Sequence, residues 1–100
     1  MTNLETKIKQ KLQKVNDPEI NISIIDLGLI YKIKADNIKK TAEITMTLTT
    51  IGCPLFDIFE KSIKDALIGL KLRKIKIILT FDPPWNINRM TKKGKAILGL

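Results

Sequence analysis

Cysteine occurs once in this chain, as Cys53 in Gly52-Cys53-Pro54, directly after Thr45-Met46-Thr47-Leu48-Thr49-Thr50-Ile51. The run before it alternates as a strand does, with Met46 and Leu48 on one side and Thr45, Thr47 and Thr49 on the other. Gly52 breaks that pattern, and Pro54 suits the first position of a helix, where a missing N–H costs nothing. Cys53 therefore falls at a strand-to-helix switch. Free backbone N–H groups and the positive end of a helix dipole would face its sulfur. Such surroundings favour the thiolate, the form that binds metals and attacks electrophiles.

Two other stretches carry chemistry. Asp17-Pro18-Glu19 sets two carboxylates on a proline-stiffened turn. One reading is turn chemistry, in which Asp17 bonds its own nearby backbone. The other makes Asp17 and Glu19 labile oxygen ligands beside Cys53. Asp82-Pro83-Pro84-Trp85 holds the only tryptophan at the end of a stiff, donor-poor segment. Trp85 there is either a lid on the core or a wall beside the Cys53 loop.

Several reaction classes drop out. Thiol hydrolysis wants a base beside the sulfur, usually histidine, and the chain has none. Asp57 would hold a proton on the thiol rather than remove it. No catalytic residue is assigned, and no enzymatic turnover is expected. One thiolate cannot close a zinc site or hold an iron–sulfur cluster alone. An open site shared between two chains, or with a partner protein, fits a single Cys53. A buried structural role is the commonest fate of a lone cysteine.

The formal charge is +8, from 18 Lys+Arg against 10 Asp+Glu, and Arg73 and Arg89 are the only arginines. Charge alone admits nucleic acid as a remote alternative. However, no basic array is interleaved with stacking aromatics. The densest basic patch, Arg89, Lys92, Lys93 and Lys95, could equally dock an acidic protein. A hydrophobic share of 44% in 100 residues marks a globular chain, read as one domain over 1–100. One cysteine forms no internal disulfide, so a reducing, cytoplasmic setting is expected. The first residues lack an apolar signal core, and no apolar run approaches the length of a membrane span.

These residues must be positioned by a short list of elements. Leu4, Ile8, Leu12 and Val15 predict an amphipathic helix over Leu4–Val15, capped by Thr2 or Asn3 and stopped before Pro18. The segment Ile20 to Gly28 reads as a packed loop with Ile20 and Ile25 inside. Strands follow over Leu29–Ala35 and Thr41–Thr49, antiparallel across a polar turn. In the second, Ala42, Ile44, Met46 and Leu48 face the core and Glu43, Thr45 and Thr47 face outward. A helix runs from Pro54 to about Gly69 on Leu55, Ile58, Phe59, Ile63, Ala66, Leu67 and Leu70. Lys74–Phe81 predicts a third strand, apolar enough on both faces for a central or covered position. Thr91 caps a last helix, Lys92–Leu98, which Gly99 ends. The order helix-strand-strand-helix-strand-helix predicts an α+β two-layer sandwich with a small mixed three-stranded sheet.

Five ordered blocks go further: Asp17-Pro18-Glu19; Asp26-Leu27-Gly28-Leu29-Ile30-Tyr31; Met46-Thr47-Leu48-Thr49-Thr50 with Gly52-Cys53-Pro54; Pro83-Pro84-Trp85; and Met90-Thr91 with Gly94-Lys95 and Leu98-Gly99. In these the chain resembles the small metal–sulfur cluster biosynthesis family that includes SufT, PaaD-like subunits and the front domain of some Mrp-type cluster carriers. The resemblance implies a small α+β fold and an accessory role in assembling iron–sulfur clusters or passing them to client proteins. It implies a site of Asp17, Glu19, Thr49, Thr50 and Cys53, walled by Pro83, Pro84 and Trp85, with Cys53 as a transient cluster ligand. The partners implied are scaffold, carrier or client proteins. Because one chain supplies one thiolate, cluster loading is expected to bring two copies together. The alternative is an adaptor that positions a scaffold or client without ligating iron.

Overall fold

The computed structural model describes residues 3–18, 20–49 and 56–100. Helix α1 (Asn3–Leu12) buries Leu4, Ile8 and Leu12, the stripe that helical spacing predicts. It ends three residues early. Gln13, Lys14 and Val15 leave the helix through tightening turns, and Val15 then accepts a backbone bond from Ile24 at 2.9 Å. Asn16 bridges Ser23, and the Asp17 N–H donates to Ile22 at 2.9 Å. Residues 15–17 are thus drawn into a short antiparallel clip with residues 22–24, which competes with helix continuation. Extended pairing sends Ile22 and Ile24 to one side, where both are buried, while Ile20 stays 43% exposed and Ile25 half-buried. The expectation of Ile20 inside is corrected: Ile20 lies in the turn before the clip, where Asn21, at φ 55°, bonds back to the Asp17 carbonyl and breaks the alternation.

The sheet has the order β1-β2-β3. β1 (Ile30–Asp36) runs antiparallel to β2 (Thr41–Met46), and β3 (Lys74–Leu79) joins β2 in parallel. A parallel partner needs a crossover, and α2 (Phe56–Ala66) lies on it. Ile33, Ile44 and Ile77 stand side by side across the sheet. With Ala42 and Met46, Ile44 forms the buried face of β2, which packs with α1 and with Phe59, Ile63 and Leu67. The α+β sandwich with a mixed three-stranded sheet is the fold observed.

Two strand expectations need correction. β3 lies at the edge of the sheet, and β2 takes the centre. The apolar residues of β3 are only half-buried, and its Lys74 and Lys76 are exposed, as suits an edge. β2 also stops at Met46 instead of running to Thr49. A bulge at Tyr31 shifts the register between Ile30 and Lys32, and the N–H of Thr47 turns to the Leu29 carbonyl at 2.8 Å. Alternation is lost there: Met46, Thr47 and Leu48 are all buried, and Thr47, expected outside, has no exposed surface.

In α2 the inward residues are Phe59 and Ile63, followed by Leu67. Ile58, expected on the stripe, is 48% exposed at its margin. A 3-10 turn over Ile68–Leu70 extends α2, and the chain reverses at Lys71, with φ 54°, not at Gly69. Helix α3 (Lys92–Ile97) is capped as expected, the Thr91 hydroxyl accepting from the Gly94 N–H at 3.0 Å. Gly99, with φ +76°, ends it. Among the described residues no helix is long and apolar enough to cross a membrane.

Candidate functional site

Glu19, Thr50 and Cys53 lie outside the described residues, as do Gly52 and Pro54. The described parts of the candidate site are Asp17, Thr49 and Trp85, with the elements that flank residues 50–55. Both flanks are anchored: Met46, Thr47 and Leu48 are buried on one side, and Phe56 packs on the core on the other. Thr49 is exposed just past the buried run.

Asp17 is half-buried on its turn. Its carbonyl accepts from the Asn21 N–H at 2.8 Å, and its Oδ1 accepts from the Ile20 N–H at 3.3 Å. Turn chemistry is therefore part of what this carboxylate does. Among the described residues, no three of the types His, Cys, Asp or Glu gather closely enough to hold a metal ion. The carboxyl of Asp36, in the β1–β2 turn, is held below its ordinary value by the Lys39 N–H and then the Ile38 N–H. It lies apart from Asp17 in the chain, and its role is to close that turn.

Trp85 meets the lid reading: it is half-buried against the core, and its indole N–H donates to the Leu27 carbonyl at 2.6 Å. That bond belongs to a wider latch, which the sequence did not reveal. Asp26 is 6% exposed. Its Oδ2 accepts from Gln13 Nε2 at 2.8 Å and its Oδ1 from the Thr91 hydroxyl at 2.9 Å. Its carbonyl accepts the Thr91 N–H, also at 2.9 Å. Gly94 sits against the same residue, and a Cβ there would lie 2.7 Å from the Asp26 carbonyl oxygen. Gly28, at φ +74°, leaves no room for a Cβ against the Arg89 carbonyl. Tyr31 donates its hydroxyl to the Pro83 carbonyl at 2.8 Å, and the Arg89 guanidinium lies over the Tyr31 ring, 4.5 Å from its centre.

Three of the five sequence blocks, Asp26 to Tyr31, Pro83 to Trp85 and Met90 to Gly94, thus meet in one place. There they hold the end of α1, the start of β1 and the cap of α3 together. The visible signal was their composition: an acid before Leu-Gly, a Pro-Pro-Trp run, and a threonine three residues before a glycine. What each contacts was not visible.

Comparison with known proteins finds relatives that match nearly the whole chain. The family model described as iron–sulfur cluster assembly protein matches residues 5–78. A Bacillus subtilis protein, Fe-S protein maturation auxiliary factor YitW, is 37% identical over 98 residues, covering 97% of this chain and 95% of its own. The Fe-S protein maturation auxiliary factor SufT of Staphylococcus aureus is 32% identical, covering 86% of this chain and 98% of its own. A solved structure of a domain of unknown function, DUF59, from Bacillus anthracis superposes with a TM-score of 0.89 at 36% identity, over 96% of this chain and 92% of its own.

Proposed function

Because the chain belongs to the iron–sulfur cluster assembly protein family, we propose that it is an accessory factor that helps assemble iron–sulfur clusters or hand them to client proteins. One observation carries the reading: a near full-length likeness to a relative named as an Fe-S protein maturation auxiliary factor. The cluster is cargo here, not a resident cofactor. Cys53 is its transient ligand, because a thiolate is the soft donor that iron–sulfur centres take. Asp17, Glu19, Thr49 and Thr50 complete the site as weaker oxygen neighbours, and Trp85, besides covering the core, serves as its wall. Weak neighbours suit release, since a closed four-thiolate cage would retain the cluster.

A site with one thiolate is half a site. The other half comes from a second copy or from a scaffold, carrier or client protein. The chain turns over no substrate of its own, works as one unit over residues 1–100, and operates where thiols stay reduced, in the cytoplasm. Anaerobic reconstitution with iron and sulfide tests this, read by absorption, iron counting and light scattering. The expected result is thiolate-to-iron absorption in the wild type with growth toward a dimer, and neither in Cys53→Ser. If both proteins stay colourless and iron-free yet still support client maturation, the adaptor reading replaces cluster ligation.

A further inference from the structure

Beside the latch lies a cleft of about 300 Å³, between the outer side of α1, the bulged start of β1 and the turn before α3. Lys9, Lys32 and Arg89 line it, with Tyr31, Ile30 and Ile33, and no acid is among its described lining residues. Lys9, Lys32 and Arg89 are exposed, while Ile30 and Ile33 are half-buried against the core. The cleft therefore has a cationic rim and an apolar floor.

Arg89 is held in place. Its guanidinium lies over the Tyr31 ring, 4.5 Å from its centre, and Tyr31 is in turn fixed by its hydroxyl bond to Pro83. None of the described hydrogen bonds uses a guanidinium N–H of Arg89, so these donors are left for an acceptor. A planar fork of that kind matches a carboxylate with two parallel bonds. Tyr31 lies at the bulge, where the register shifts between Ile30 and Lys32.

We propose that this cleft docks an acidic peptide segment of a partner protein. One carboxylate is clamped by Arg89, neighbouring acids answer Lys9 and Lys32, and an apolar side chain rests on Ile30 and Ile33. Charge complementarity commits the occupant, since the described lining is of one sign and the whole chain carries +8. A free inorganic anion would leave the apolar floor unused. A nucleic acid strand wants open aromatic faces, and Tyr31 already has one face covered by Arg89. The proposal makes no use of Cys53, so it stands or falls separately from cluster ligation.

The test is a fluorescence anisotropy titration with a labelled short peptide of alternating Glu and Leu. Its Gln-for-Glu counterpart and a single-stranded oligothymidine serve as competitors, and amide shift mapping of the full chain locates the site. Saturable, salt-sensitive binding of the Glu peptide is expected, with shifts confined to the cleft: Lys9, Ile25, Gly28, Ile30 to Ile33 and Arg89 to Thr91. Arg89→Gln should weaken it about tenfold or more, the scale of a charge-assisted hydrogen bond. Lys32→Gln, at an exposed position, should weaken it about threefold. Lys76→Gln, on the opposite edge strand, should leave it unchanged. The proposal is overturned by no saturable binding, by equal binding of the Gln peptide, by shifts elsewhere, by tighter binding of the oligothymidine, or by full affinity in both Arg89→Gln and Lys32→Gln.

Discussion

Asp17 and Asp26 are the same residue type, nine positions apart, each in a motif that could have been a site, yet their described bonds differ in reach. Asp26 ties Gln13, 13 residues before it, to Thr91, 65 residues after it. The bonds described for Asp17 go to Ile20, Asn21 and Ile22. The first aspartate joins distant stretches of chain, so removing it should open the fold. The bonds described for the second shape its own turn. The contrast extends to their surroundings: the latch around Asp26 is steric as well as polar, whereas Asp17 is half-buried on its own turn. Motif residues thus divide into those of the latch, which hold the domain, and Cys53, which is proposed to meet the cargo.

Five substitutions put that division at risk. Gly28→Ala should do the most damage, because it forces a Cβ against the Arg89 backbone at a positive φ. A loss of about 2–5 kcal/mol in a urea melt is expected from the left-handed backbone and the overpacking combined. Asp26→Ala comes next, at about 2–4 kcal/mol, because it strands the Gln13 amide and the Thr91 hydroxyl. A double-mutant cycle with Thr91→Ala should return a coupling of about 1 kcal/mol between the two. Trp85→Phe keeps most of the packing and loses the bond to Leu27, so about 1 kcal/mol should go. Cys53→Ser should change stability by about 0.5 kcal/mol or less while abolishing client activation. A large loss there would make Cys53 a packing residue and erase the division. An intact melt with full activation would remove Cys53 from the mechanism.

Local pattern made much of this molecule legible. The β1–β2 hairpin, the buried stripe of α1, Phe59 and Ile63 on α2, the Thr91 cap and the Gly99 stop follow from spacing and from residues within a few positions. What escaped depended on distant partners. Thr47 alternates as an outward residue, but a bulge 16 positions earlier, at Tyr31, and the Leu29 carbonyl turn it inward. β3 looked apolar enough for the centre of the sheet, yet the parallel crossover leaves it at the edge. Ile20 and Ile22 are equally apolar, and the turn at Asn21 together with the clip to residues 15–17 decides which is buried. Of the candidate site, Asp17 and Trp85 each matched one of the two roles open to them, turn acceptor and lid. The latch escaped because its ends lie 65 residues apart in the chain.

The span of that Asp26–Thr91 bond sets a schedule for synthesis. Gln13, Asp26 and Leu27 leave the ribosome early, and the β1–β2 hairpin can form from neighbours soon after. Thr91 emerges 65 residues behind Asp26. Through that interval the chain holds a carboxylate destined for the interior and a Leu27 carbonyl still without its indole donor. A nascent chain in this condition exposes the apolar surface of residues 22–29 to whatever is near, including chaperones and other nascent chains. The latch can close only once the segment that carries Trp85, Thr91 and Gly94 is released, so vulnerability to aggregation and proteolysis should persist until then and fall as that segment docks.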